Sequence, residues 1–177
     1  MRRLIYVSLA AVLTTSAFAQ SAEKNPVTSV LREILPRQQN NLVAAVEEMP
    51  ADKFNYKPTE QQQTFAHLVL HMTTSNMYLC SKIGGSAPPK QEQEMKESDG
   101  KDKLLTALKA SFDYCNAAID KMDDSKLGQT IEAYGGRKAP LAWALIALTN
   151  DWADHYGGAA MYLRLSGLLP PTAKKEH

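Results

Sequence analysis

The stretch TFAHLVLHMTTSNMYLCSKIGG, residues 64–85, decides the fold. Its apolar residues Phe65, Leu68, Met72, Leu79 and Ile83 recur at helical spacing instead of alternating, so they form one stripe of an amphipathic helix. Gly84-Gly85 end it, because glycine takes the left-handed backbone of a helix terminus at low cost. Upstream, Thr59 and Gln62 have capping-box spacing, which predicts the start of this second helix at that point.

Outward from this stretch the same period repeats. Pro26 to Glu48 reads as a first helix, with Val27, Leu31, Ile34, Leu42, Val46 and Met49 along one side. Pro36 lies inside it without an N–H, so a kink or restart is expected there. Ser86 to Gly100 is polar, holds two prolines and reads as an exposed crossover loop. A third helix, capped by Ser98 or Asp99, carries Leu104, Leu108, Phe112, Cys115, Ile119 and Met122. Asp123 to Lys138 is irregular, with Gly135-Gly136 as a turn. A fourth helix runs from about Pro140 to Leu165, with Gly167 just past its end and Pro170-Pro171 beyond. Strand-like alternation is nearly absent. Four amphipathic helices predict an all-α four-helix bundle, with residues 20–177 as one domain.

Composition narrows the function. The 177 residues carry 20 Lys+Arg against 19 Asp+Glu, a net +1, and only 7% aromatics. Scattered, balanced charge gives no nucleic-acid footprint, and the aromatic content is low for a base-stacking surface. Arg2 and Arg3, the apolar run Leu4 to Leu13 and the small-residue site Ala17-Phe18-Ala19 have the form of a secretory signal peptide over residues 1–19. Its removal leaves 18 basic against 19 acidic residues, a net −1. The expected location is periplasmic or secreted, with no membrane attachment after cleavage. In such a compartment Cys80 and Cys115 either form a disulfide or pack as two small hydrophobes. The sequence leaves both readings open, because it does not give their Cα separation.

Apart from His177 at the end of the chain, the histidines are His67, His71 and His155. Asp151 and His155 stand four apart and project from one helix face, while His71 lies beside the apolar seam of the second helix. If those helices are neighbours, His71, Asp151 and His155 converge. Two imidazoles and a carboxylate suit a divalent metal with positions left open. The competing reading of an Asp–His pair at this spacing is a hydrogen-bonded pair with no ion. His67, one turn before His71, either completes a two-His clamp or is an exposed imidazole, and the second reading is favoured.

The segments TFAHLVLHM (64–72), EEMPADKFNYKPTEQ (47–61) and DHYGGAAMYLRLSGLLPP (154–171) resemble, in this order, signatures of the DinB-like superfamily. The likeness runs from about Val27 to Pro171. It implies an up-down-down-up four-helix bundle with a long crossover after helix two, which Ser86 to Gly100 would supply. Members typically bind a divalent metal, often zinc or nickel, through one histidine of helix two and an H-x3-H pair of helix four. The corresponding residues are His71 and His155, with Asp151 where the first histidine of the pair usually stands. Known relatives include metal-dependent thiol transferases and isomerases that use low-molecular-weight thiols. The resemblance therefore implies a metal-dependent enzyme of thiol-transferase or hydrolase type, with an unidentified small-molecule substrate in a pocket flanked by Tyr78 and Tyr162. The alternative is a non-catalytic metal- or ligand-binding bundle. Superfamily members often pair through helix faces, so a homodimer is a further expectation. Gly157 and Gly158 are expected to serve close helix packing near the site.

Overall fold

The four amphipathic stretches fold as four helices: α1 (Pro26–Glu48), α2 (Phe65–Gly84), α3 (Lys101–Asp120) and α4 (Leu141–Leu165). This computed structural model describes residues 23–90 and 94–176, so the expected signal segment 1–19 and His177 lie outside the described residues.

Side-chain pairings give the direction of every helix. Between α2 and α4, Leu68 faces Gly158, His71 faces His155 and Asn76 bonds Trp152, so these two run antiparallel. Between α2 and α3, Asn76 bonds Ser111, Cys80 bonds Cys115 and Gly84 meets Ala118, so these two run parallel. Across α1 and α3, Arg32 reaches the carbonyls of Ile119 and Met122 while Lys109 reaches Glu47, an antiparallel pair. Helix α2 packs on α3 and α4, and α1 packs on the same two, leaving α1 and α2 diagonal. This is the up-down-down-up bundle. Parallel α2 and α3 require a connection that travels the bundle's length, and residues 85–90 and 94–100 are its described parts.

The core is one cluster built from all four helices. Leu42, Val46, Phe65, Val69, Leu104, Phe112, Leu148 and Leu163 have no exposed surface, and burying each such side chain contributes about 1.5–3 kcal/mol. Val27 was expected on this face. It is exposed instead, and Thr28 and Leu35 turn inward. Inside the core Trp152 Nε1 donates to Asn76 Oδ1 at 2.7 Å, and Asn76 Nδ2 donates to Ser111 Oγ at 2.9 Å. These bonds pair buried polar atoms across α2, α3 and α4, which otherwise would be expensive to desolvate. The sulfurs of Cys80 and Cys115, both fully buried, join α2 to α3 in a disulfide with Cα atoms 5.1 Å apart.

Several boundaries differ from expectation. Helix α2 starts at Phe65, not Thr59: Thr64 is the cap, its hydroxyl accepting from the His67 N–H at 3.0 Å. Thr59 and Gln62 only close a turn, because Gln62 N donates to the Thr59 carbonyl. Helix α3 begins after Gly100, and Asp99 instead accepts from the Lys96 N–H in the preceding turn. Helix α1 runs through Pro36 without restarting. The irregular segment contains an antiparallel hairpin, β1 (Thr130–Glu132) with β2 (Lys138–Pro140), in which Ile131 pairs Ala139. Strands of three residues are too short to show an alternating pattern. Gly135 and Gly136 turn it with positive φ of 68° and 75°, as their residue type suggested.

Gly157 and Gly158 are not explained by close packing. A Cβ at Gly157 would meet nothing within 4 Å, and one at Gly158 would meet only Leu68, at 3.8 Å. Gly84 is the tight one, since its Cβ would fall 2.9 Å from that of Ala118.

Candidate metal centre

The antiparallel packing of α2 on α4 sets His71 opposite one turn of α4, which carries both Asp151 and His155. The His71 and His155 ring centroids are 4.9 Å apart and tilted by 41°. Donor atoms of His71, Asp151 and His155 all lie within 4.8 Å of one another. All three residues named by their spacing therefore converge. His155 is buried, Asp151 is intermediate and His71 is exposed, so the cluster opens on the His71 side.

Hydrogen bonding fixes which nitrogen of His155 is available. Nδ1 lies 2.5 Å from the main-chain oxygen of Asp151, which accepts only, so Nδ1 carries a proton. In the neutral ring the lone pair is then on Nε2. Asp151 Oδ2 is 3.3 Å from the same Nδ1, close enough for charge attraction. That proton is already directed at the nearer carbonyl, and Oδ2 is buried with no hydrogen-bond donor. A buried carboxylate oxygen without a donor is costly. Beside His155 and within reach of His71, it is the kind of group a cation would satisfy. Two imidazoles and a carboxylate are a donor set that fits a divalent ion with positions left open.

The two histidines are electrostatically different. Burial, and then the neighbouring His155, hold the His71 pKa below the ordinary imidazole value, against the pull of Asp151. This favours the neutral, lone-pair-bearing ring that a metal requires. Burial also acts to lower His155, but the nearby Asp151 carboxylate, the hydrogen bond to the Asp151 main-chain oxygen and the Asp151 charge outweigh it, and the net shift is upward.

His67 stays outside the cluster as an exposed-side imidazole. Its ring stacks on that of His71 with centroids 6.4 Å apart, and its Nδ1 meets Glu97 Oε1 at 2.6 Å. Glu97 also accepts from Thr64 Oγ1 at 3.0 Å, which ties the crossover to the start of α2. Tyr162 does not flank the site. It is buried against Phe65 and Tyr56, and its hydroxyl donates to the Gln63 carbonyl at 2.5 Å. Tyr78 lies about two turns beyond His71 on α2, stacked on Tyr134 with centroids 4.3 Å apart. Sequence reading missed Tyr134. It comes from the hairpin turn, where nothing in the local pattern shows that it folds back over α2. Burial first, then the charge of Asp151, raises the Tyr134 pKa.

The fold and the site together define a helical bundle with a two-histidine, one-carboxylate cluster between α2 and α4. The sequence profile of the DinB superfamily matches residues 34–158, and the chain belongs to that superfamily. No curated protein matches the sequence. Among solved structures, a DinB-like protein from Bacillus cereus ATCC 10987 superimposes with a TM-score of 0.66 at 12% identity, covering 81% of this chain and 95% of the other. A DinB-like protein from Bacillus subtilis gives 0.61 at 23% identity, covering 78% and 92%. The mycothiol-dependent maleylpyruvate isomerase gives 0.60 at 13% identity, covering 73% of this chain and 59% of that longer one.

Proposed function

We propose that this chain is an exported metal-dependent enzyme in which His71, Asp151 and His155 hold a divalent cation, zinc or nickel, at the α2–α4 seam. The observation that carries this reading is the convergence of donor atoms of His71, Asp151 and His155 to within 4.8 Å of one another, with the buried Asp151 Oδ2 lacking a hydrogen-bond partner. Bound there, the cation would act as a Lewis acid, lowering the pKa of a water or thiol at its open position. The protein's own groups would do the rest. The Asp151 carbonyl holds the His155 tautomer, and the exposed His71 side admits substrate. The thiol-dependent isomerase among the structural neighbours favours transfer to or from a small thiol over hydrolysis. The Cys80–Cys115 disulfide supports export, since such bonds persist in oxidising compartments.

Metal analysis of protein purified without chelator or polyhistidine tag tests the reading. The expected result is near-stoichiometric zinc or nickel, lost in His71→Ala, Asp151→Ala and His155→Ala, with helical circular dichroism retained. Metal content near zero after reconstitution with either ion would overturn it. A tightly held ion that exchanges no ligand would instead mark a non-catalytic binding protein.

A further inference from the structure

Beyond the metal cluster, α2 and α4 continue side by side toward the hairpin, and the character of the seam changes from imidazole and carboxylate to aromatic. Tyr78 lies seven residues past His71, about 10 Å along the helix, and Lys82 lies eleven past it, about 16 Å. Tyr134 of the hairpin turn stacks on Tyr78 and meets Trp143 of α4 edge-on, with centroids 5.6 Å apart and planes at 86°. The three rings form a platform contributed by three separate elements. A cation sits at each end of it. Lys82 Nζ is 5.1 Å from the Tyr78 centroid, and Arg137 Cζ is 5.2 Å from the Trp143 centroid.

Neither cation has a carboxylate within ion-pair distance among the described residues. A ring face beneath a cation restrains it and leaves its N–H groups free to donate. Tyr134 is about half exposed, unusual for a large ring in a stacked group, so the platform stays open to solvent. An apolar floor with two restrained donors at its rim is suited to a ligand with an apolar body and a negatively charged end.

We propose that the platform of Tyr78, Tyr134 and Trp143, rimmed by Lys82 and Arg137, binds the carboxylate end of an elongated small-molecule substrate whose reacting end lies at His71, Asp151 and His155. The proposal rests on the metal-site reading for the reacting end only. It adds a substrate class: an anionic molecule about 10–16 Å from reacting atom to carboxylate.

The test uses a probe matched to both ends, suberic acid monohydroxamate, beside its neutral ω-amide twin. Both carry the same metal-seeking end, so the difference between them reports the platform alone. Isothermal titration of the full chain is expected to show the acid binding at least about tenfold tighter than the amide at low salt. The preference should shrink on adding salt and fall below about twofold in Lys82→Gln/Arg137→Gln. Equal binding of acid and amide to the wild type would overturn the proposal, as would a preference that survives in the double variant. Metal content measured on the same samples separates the two readings. A metal-loaded protein with no acid preference refutes the platform and leaves the metal site standing. A metal-free protein whose acid preference is lost in the double variant refutes the metal site and leaves the platform standing.

Discussion

Replacing both bridged cysteines, Cys80→Ala with Cys115→Ala, tests how far a covalent tie stabilises the α2–α3 pair. The cross-link spans 35 residues of sequence. In the chain-entropy treatment, closing a loop of that length in the unfolded ensemble stabilises the fold by about 3.8 kcal/mol at 25 °C. The Cα atoms lie 5.1 Å apart, within the ordinary span of a disulfide, so no backbone displacement offsets the gain. For a domain of this size the loss corresponds to a melting temperature about 8–15 °C lower. Urea denaturation followed by circular dichroism should show the loss mainly as a lower midpoint. Wild-type protein refolded under reductant should fall close to the variant, because both lack the tie. Both sulfurs are fully buried, so reductant added to the folded protein should act only as fast as the helices part. A loss below about 1 kcal/mol in both forms would refute the loop-entropy argument. It would mean that α2 and α3 already associate in the unfolded chain.

Four further outcomes follow from the site, the core and the exposed face of α4. In metal-free protein, NMR titration should place the His155 midpoint above that of His71, since one pKa is raised and the other lowered. The stability contributed by protonated His155 is then complete below the unfolded imidazole value of about 6.5 and is lost as pH rises through its higher folded value. Asp151→Asn should bring the His155 midpoint down, because burial then acts against a weaker partner, and an unmoved midpoint would exclude the Asp151 charge as the cause. Asn76→Ala orphans the Trp152 indole N–H in the core and should cost about 2–4 kcal/mol in denaturant titrations, against about 1 for Ser111→Ala, whose loss orphans no indole. Gly157→Ala should raise stability by about 0.5–1 kcal/mol, since a helical backbone with open space around the new methyl group has nothing to pay for it, and a lower thermal midpoint would show an unseen constraint.

The bundle and the triad were both legible because their information is periodic. His71 lies beside the apolar seam of its helix and the Asp151–His155 spacing is one helical turn, so helix geometry places each on a face, while the resemblance supplied the pairing of the two helices. Cap residues were less legible. Thr59 and Thr64 both precede an apolar run, and only tertiary contact chooses between them: Ala66 N donates to the Phe54 carbonyl and Phe65 N to the Tyr56 carbonyl, which pins the start of α2 against the preceding loop. Tyr162 stands seven residues past His155 on the same helix stripe yet packs into the core, because a stripe wide enough to pack a core faces more than one neighbour. Tyr134 and Arg137 carried no periodic signal at all. Their place depends on a three-residue hairpin and two glycines, which set a direction in space that no local pattern encodes.

Asn76 has a consequence for how the cluster behaves when the protein is disturbed. Asp151 and Trp152 are adjacent residues of α4, one aimed at the seam's polar cluster and the other sunk among core side chains. Sliding α4 by a single residue would move it about 1.5 Å and turn it by about 100°, breaking the indole's bond to Asn76. The alignment of the carboxylate with His71 is therefore inherited from the interior, like a tool held true by a bearing at the far side of its shaft. Wear in that bearing, from heat or from a substitution at Asn76 or Ser111, reaches the working end first. An ion bound at the cluster would be lost at temperatures where the helices themselves are still intact.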